Sequence, residues 1–205
     1  MRRLFILIFS CITFCGYGQK ITDVFKTMPS DILPGFSEAN RTMLLVDTAL
    51  KVIPYPLGNI EKINYTDSYL QLKTSDIGTF QLKLLTLVNN TKIICTIKTV
   101  CGDACDSNIR FYSTGWEKID EKTLLPNVTK EIFFDPAKKG TDAYEYALSL
   151  LDIEPLSAAF RDGGDDLILT LNYEAYLSKE NIAKIKPFIK QDFITLRWTK
   201  TAFQL

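Results

Sequence analysis

The chain has 205 residues, of which 46% are hydrophobic and 12% aromatic, and its 24 basic residues balance its 24 acidic residues. This composition is typical of a globular protein, and the absence of a basic excess argues against binding to nucleic acid or to an anionic membrane surface. The chain contains no histidine, which excludes Ser-His-Asp and Cys-His catalysis, histidine general bases and histidine metal ligands.

The first residues have the pattern of a secretory signal peptide. Two arginines precede an apolar run over residues 4–14, and small residues occupy the positions expected before a cleavage site at Gln19. The run is too short to span a bilayer comfortably. We therefore predict a signal peptide over residues 1–18 and export to the periplasm or the cell exterior.

Lipid anchoring is the rival interpretation of this N-terminus. A lipoprotein signal needs a small residue directly before the acylated cysteine, and Phe14 before Cys15 is too bulky. Cys11 follows Ser10, but the apolar run ahead of it is short. We expect no lipid anchor, and no later segment is apolar enough to span a membrane. Cleavage leaves a single domain over residues 19–205, with sub-lobes 19–115 and 116–205 as a possible division.

Two helices are predicted at the start of this domain. Apolar residues at helical spacing define the first, which ends at Pro29 and is capped by Thr22 or Asp23. Ser37 is the predicted N-cap of the second helix, which continues through Val52 until two prolines end it.

The apolar period then changes from 3.6 to 2, which predicts five strands. These strands cover residues 60–66, 68–75, 79–88, 92–100 and 108–114. Short turns separate them, including one at Asn89-Asn90, so we predict an antiparallel meander. One face should bury aliphatic side chains, while the other should show polar residues such as Gln81 and Lys83 to solvent.

The C-terminal part mixes strands and helices. Further strands are predicted at 116–119, 131–134, 156–160, 167–173 and 193–203. Thr141 and Ser178 are the predicted N-caps of two helices. Because runs of strands are separated from the helices, the fold class is α+β: an antiparallel meander packed with N-terminal helices, further C-terminal strands and two helices.

The stretch CGDAC, from Cys101 to Cys105, presents two thiols four positions apart. In a helical or tight turn this spacing brings the Cα atoms within disulfide range, and an exported protein meets oxidising conditions. The spacing differs from the Cys-x-x-Cys of thioredoxin-like redox centres, and a zinc site would lack imidazole ligands. We predict a disulfide that positions Asp106 and Ser107, with two free buried thiols as the alternative. Cys95 shares strand parity with core residues.

Other candidate sites are less specific. The RDGGDD stretch at residues 161–166 lacks the alternating acids of an EF-hand loop and is predicted to be a hairpin turn. Paired acids at residues 103 and 106, or 165 and 166, could in principle support glycoside hydrolysis, although neighbouring surface acids are common. The aromatic rings of Tyr112 and Trp116 could line a binding groove, but such rings more often fill a core. Four Asn-x-Thr sequons occur, at residues 40, 64, 89 and 127.

Several motifs together resemble the domain-of-unknown-function family 3256, which occurs in exported proteins of Bacteroidales. The matching positions are Met28-Pro29, Leu33-Pro34, Asn40-Arg41, Leu82 to Leu85, Asp106-Ser107, Phe111-Tyr112 and Trp116. Asp103 stands where some members have proline. The resemblance implies an α+β fold with no assigned activity, and a Bacteroidales source would make Asp47-Thr48-Ala49 a candidate O-glycosylation acceptor.

We therefore predict an exported, non-catalytic module that binds an envelope protein or a glycan, without a cofactor or a metal. Asp106, Ser107, Tyr112 and Trp116 are the candidate binding residues. The alternative is a hydrolase without histidine that uses carboxylates on a glycan or a peptide.

Overall fold

The computed structural model describes residues 19–46, 51–56 and 58–205. The predicted signal peptide and the Asp47-Thr48-Ala49 sequence lie outside the described residues. Among the helices that the structure describes, none is both long enough and apolar enough to cross a membrane.

In the described part of the chain, the first sheet contains seven antiparallel strands that follow one another in chain order. They are β1 (Val52–Tyr55), β2 (Gly58–Tyr65), β3 (Tyr69–Lys73), β4 (Gly78–Thr86), β5 (Lys92–Cys101), β6 (Cys105–Ser113) and β7 (Lys118–Ile119). The predicted meander is confirmed. Its predicted turn at Asn89-Asn90 joins β4 to β5, and Asn90 there has a φ of 63°, a conformation that asparagine tolerates well.

The second sheet contains four antiparallel strands among the described residues, in the order β11-β10-β9-β8. These strands are β8 (Leu156–Phe160), β9 (Leu167–Leu171), β10 (Phe193–Trp198) and β11 (Phe203–Gln204). The α-helices are α1 (Ile21–Lys26), α2 (Glu38–Val46), α3 (Asp142–Ser149) and α4 (Lys179–Ile185). The predicted α+β class is therefore confirmed.

The first sheet is buried on both faces over β4 and β5. On one face, α1, α2 and the loop between them cover an apolar cluster that contains Phe80 and Leu82. On the other face, the C-terminal half covers a second cluster that contains Ile97. The prediction that Gln81 and Lys83 face solvent is wrong, because the second sheet packs over them and leaves each only 3% exposed.

Local capping follows the sequence at three of the four α-helices that the structure describes. The hydroxyl oxygens of Ser37, Thr141 and Ser178 accept hydrogen bonds from backbone N–H groups three residues further on, as predicted. The first helix differs, because Thr22 and Asp23 lie inside its first turn and its N-cap position makes no side-chain hydrogen bond.

Three predicted elements take another form. Val52 begins β1, where it pairs with Glu61, and is not part of the second helix. Residues 130–133 form a 3₁₀ helix that buries Phe133 and Phe134 together, whereas a strand would point such neighbours to opposite faces. The final strand is a hairpin of β10 and β11, which turns at Lys200 with a φ of 65°.

Candidate functional site

A disulfide joins the end of β5 to the start of β6. The Sγ atoms of Cys101 and Cys105 are 2.06 Å apart, and the two residues are directly opposite partners in the antiparallel ladder. The predicted disulfide is confirmed, and of the helical and tight turns that its spacing allows, it closes the tight turn of a β-hairpin. The N–H of Cys101 also donates to the carbonyl oxygen of Ile77, so the closed hairpin is fastened to the start of β4.

The remaining cysteine of the described chain lies elsewhere. Cys95 is fully buried in the apolar cluster under the second sheet, as its strand parity predicted. Burial raises the pKa of its thiol well above the usual value, so the nucleophilic thiolate form is disfavoured at neutral pH.

The predicted residues Asp106 and Ser107 follow the disulfide directly and contact the second sheet. An Oδ1 of Asp106 accepts a hydrogen bond from the N–H of Leu156 at 3.2 Å, and Oγ of Ser107 accepts one from the N–H of Ala158 at 2.9 Å. The Ser107 hydroxyl also forms a 2.7 Å hydrogen bond with the hydroxyl of Thr99. These two residues therefore attach β8 to the first sheet.

Gln81 extends this row of polar contacts along β8. Its Oε1 atom accepts hydrogen bonds from the N–H of Phe160 at 3.1 Å and from the Tyr69 hydroxyl at 3.0 Å. The N–H groups of alternate β8 residues thus point at side chains of the first sheet, while the strand's other edge pairs with β9. Because unpaired strand edges invite association, this row of acceptors protects the edge of β8 inside the molecule.

Lys83 attaches the turn that follows β8. Its Nζ atom donates to the carbonyl oxygen of Gly163 at 2.7 Å and forms a 3.0 Å ion pair with Asp165. The predicted hairpin turn of residues 161–166 is confirmed, with Gly163 at a φ of +72°. An acid from each proposed carboxylate pair, Asp106 and Asp165, is thus engaged in packing contacts. The described residues contain no cluster of three or more acids and cysteines that could hold a metal ion.

The other two predicted residues lie on the opposite face of the first sheet. The rings of Tyr112 and Trp116 contact each other at 5.3 Å between centroids, and Nε1 of Trp116 donates to the carbonyl oxygen of Val24 in α1. Burial raises the pKa of the Tyr112 hydroxyl. The structure therefore brings Asp106 and Ser107 together but does not place them in one site with Tyr112 and Trp116.

Beside Ser107, the outer edge of β6 is open over three residues. Along a strand, the backbone N–H and C=O groups of consecutive residues point to opposite sides. Those of Asp106, Asn108 and Arg110 point towards β5, because their partners on β5 direct their own backbone groups towards β6. The groups of Ser107 and Ile109 consequently point outward. The start of β6 agrees with this assignment, because the carbonyl oxygen of Cys105 also points outward and accepts a hydrogen bond from Asn172.

The neighbouring strand β7 covers only the far end of this edge. It pairs with Phe111 and Tyr112, and the chain then leaves the sheet at a 3₁₀ helix over residues 121–123. Among the described residues, no acceptor receives a hydrogen bond from the outward backbone N–H of Ser107 or of Ile109. Two strand donors are therefore available at this edge.

The open edge borders a groove of about 380 Å³, which we call the edge groove. Its lining residues are Ser107, Asn108, Ile109, Arg110, Glu121, Leu125, Pro126, Asn127, Val128, Leu156, Ala158 and Leu169. An ion pair of 2.7 Å between Arg110 and Glu121 closes one end. The groove thus offers backbone donors along one wall and apolar side chains along the others.

Of the four binding residues that the sequence predicted, only Ser107 lines this groove. Its other walls come from segments that lie up to about sixty residues further along the chain, and no local pattern connects them to β6. The period-2 alternation predicted β6 itself, but the alternation gives no sign that β7 is only two residues long and leaves the edge open. The sequon at Asn127 lies in the groove wall, which the sequence could not indicate.

Comparisons with known proteins point to one family and one fold. A family model described as "Protein of unknown function (DUF3256)" matches residues 16–203. No curated protein matches the chain. A solved structure, described as a domain of an uncharacterized protein from Porphyromonas gingivalis W83, superimposes with a TM-score of 0.80 at 19% identity, over 91% of this chain and 98% of that chain. At this identity the likeness shows a shared fold.

Proposed function

The chain belongs to the DUF3256 family of proteins of unknown function, and we propose that it is an exported, non-catalytic module that binds an extended segment of an envelope protein. Two features support export: the signal-peptide pattern of residues 1–18, and the Cys101–Cys105 disulfide, because disulfides persist in oxidising compartments. Fractionation of the native cell tests this part, and recovery of the protein from the cytoplasm alone would contradict it.

The open edge of β6 is the observation that carries the binding role. β7 pairs with β6 over only two residues. An extended peptide could pair with the outward backbone groups of Ser107 and Ile109, next to the part of β6 that β7 covers. Such strand addition obtains its affinity from main-chain hydrogen bonds and its specificity from pockets for alternate side chains. Leu125, Val128 and Leu156 supply apolar walls for those side chains.

The surroundings of this edge keep it fixed in place. The disulfide closes the β5–β6 hairpin at one end, and the hydrogen bonds from Asp106 and Ser107 hold the second sheet beside it. An edge that is already ordered loses little conformational entropy when a partner binds, so the ordering cost falls on the partner segment alone.

The experiment uses the unreduced protein comprising residues 19–205 and peptides selected on it from a random-sequence library. Hydrogen exchange is measured at individual amides. In the free protein we expect Ser107 and Ile109 to exchange faster than Asn108 and Arg110, whose N–H groups face β5. A bound peptide should slow exchange at Ser107 and Ile109, because their N–H groups would then be paired.

A matched pair of variants isolates the backbone donor. Ile109→Pro removes the outward N–H without removing a ladder hydrogen bond to β5, and Ile109→Ala removes the same side chain but keeps that N–H. We expect peptides to bind the proline variant about tenfold more weakly than the alanine variant. Equal binding to both would overturn the strand-addition mode, as would binding of glycans in place of peptides.

A further inference from the structure

A second groove lies on the helix-covered face of the first sheet, between the α1–α2 loop and the ends of β4 and β5. This groove, which we call the loop groove, has a volume of about 320 Å³ and shares no lining residue with the edge groove. Thr74, Ser75, Thr79 and Thr99 contribute to its lining, and apolar side chains from four parts of the chain line the rest. The apolar side chains are those of Ile32, Leu33, Pro34, Tyr55, Ile77, Phe80 and Val100.

The mouth of the loop groove exposes apolar surface. Ile77 directly precedes β4 and Val100 lies near the end of β5, next to the disulfide hairpin, and each is 56% exposed. Ile32 and Leu33, on the loop side, are buried and form the opposite wall. The groove therefore has an accessible apolar entrance and a fixed apolar wall, which is the arrangement that an aliphatic chain requires.

A single cationic group lines this groove among the described residues. Lys98 lies on β5 between Phe80 of β4 and Asn108 of β6, and its side chain is partly buried. It forms no hydrogen bond and no salt bridge with any described residue. Burial lowers the pKa of its ammonium group, while the nearby carboxylate of Asp31 opposes that shift.

Lys83, a second lysine of this sheet, has an ammonium group with direct partners. On the opposite face, its ammonium group is held by a carbonyl oxygen, a hydroxyl and the carboxylate of Asp165. A charge removed from water is stabilised by such partners. The ammonium group of Lys98 is partly removed from water and forms no direct contact of this kind, since the Asp31 carboxylate acts on it only through space. An anion within the groove would supply that direct contact.

We propose that the loop groove binds an amphiphilic monocarboxylate, with its aliphatic chain along Ile77 and Val100 and its carboxylate on the ammonium group of Lys98. The occupant follows from the combination of one cation that has no direct ionic partner with a lining whose other side chains are apolar or carry a neutral hydroxyl group. A neutral aliphatic molecule would leave the cation unpaired, and a polyanion would place further charge against apolar walls. This proposal does not depend on the peptide site at the edge groove.

The test uses the unreduced protein comprising residues 19–205 with decanoate, and 1-decanol as the neutral ligand of equal chain length. Binding is followed by calorimetry and by the amide NMR shifts of Ile77 and Val100. We expect saturable binding of decanoate below its critical micelle concentration, with shifts at both residues, and binding of 1-decanol at least about tenfold weaker.

Lys98→Met keeps an unbranched side chain and removes the charge, so it should weaken decanoate binding about tenfold and leave 1-decanol binding unchanged. Lys118→Met is the matched control, since it removes a positive charge from an exposed position on β7, outside the groove. Thermal unfolding of both variants checks that the fold is retained. Absence of saturable decanoate binding, equal binding by the Lys98→Met variant, or shifts confined to other surfaces would each overturn the proposal.

Discussion

The two faces of the first sheet are covered by layers that attach in different ways. On one face, α1 and α2 pack through apolar side chains, and neither helix presents a strand edge to the sheet. On the other face, β8 presents an unpaired edge to the sheet, and its N–H groups need partners from outside its own layer. A helical layer needs mainly apolar surface beneath it, whereas a strand edge also needs correctly placed acceptors.

The polar contacts on the two faces reflect this difference. On the helical side, the buried guanidinium of Arg41 donates to the carbonyl oxygens of Phe36 and Lys26, which lie at a loop and at the end of α1. These contacts join parts of the helical layer to one another, and Trp116 and the carbonyl oxygen of Asp67 add hydrogen bonds between α1 and loops of the first sheet. On the other side, Gln81 and Ser107 donate or accept across the boundary between the two sheets.

The largest expected effect comes from an apolar truncation on the helical side. Leu82 is fully buried beneath the helices, so Leu82→Ala should lower the free energy of unfolding by about 2–5 kcal/mol through lost burial and a residual cavity. Denaturant unfolding measures this change. A loss below about 1 kcal/mol would mean that the helical layer does not depend on apolar packing in the way described.

A polar deletion on the other side should have a somewhat smaller but more specific effect. Gln81→Met keeps the volume but leaves the N–H of Phe160 without its acceptor and removes the closer of the two acceptors of the Tyr69 hydroxyl. We expect a loss of about 1–3 kcal/mol in the free energy of unfolding, with faster amide exchange at Phe160. Unchanged exchange at Phe160 would show that Gln81 does not protect the β8 edge.

The smallest effect is a pH dependence on the same side. Burial raises the pKa of Tyr69 to about 12 from an ordinary value of 10.0. Between these values the unfolded chain releases the phenol proton while the folded protein retains it, so stability should be full below pH 10 and fall as the pH rises towards about 12.

Tyr69→Phe removes this contribution and should flatten the decline in the free energy of unfolding measured between about pH 9 and about pH 11. Burial also raises the pKa of the Tyr176 hydroxyl to about 12, so Tyr176→Phe should flatten the decline to a similar extent, and the double variant should flatten it further. An unaltered slope in the Tyr69 variant would contradict the assignment.

Local sequence patterns predicted most of the strands and helices, because alternation and helical spacing are properties of neighbouring residues. The burial of Gln81 was missed because it depends on β8, which lies 79 residues further along the chain. In the same way, Asp106 and Ser107 were identified as notable, but their contacts with β8 are 50 and 51 residues distant in sequence. A polar residue in a local pattern predicts a side chain exposed to solvent. Its burial becomes evident only when the distant segment that binds it is known.

The candidate site was less predictable than the fold for a related reason. An open strand edge is defined by what is missing beside it, and the sequence of β6 is the same whether its neighbour is long or short. The early end of β7 and the departure of the chain at Asp120 create the opening, and no residue within β6 signals either event. The loop groove likewise combines segments that are separated by more than forty residues.

The chain-order arrangement of the first sheet has a consequence for synthesis. Each of its strands emerges from the ribosome directly after the strand with which it pairs, so the meander requires only short loops to close and its contact order within that sheet is low. The second sheet emerges last, when the acceptors of β4 and β6 can already be in register. Gln81, Lys83 and the apolar cluster around them are covered only by β8 and the segments after it, so a chain that ends before β8 would leave this face of the first sheet exposed.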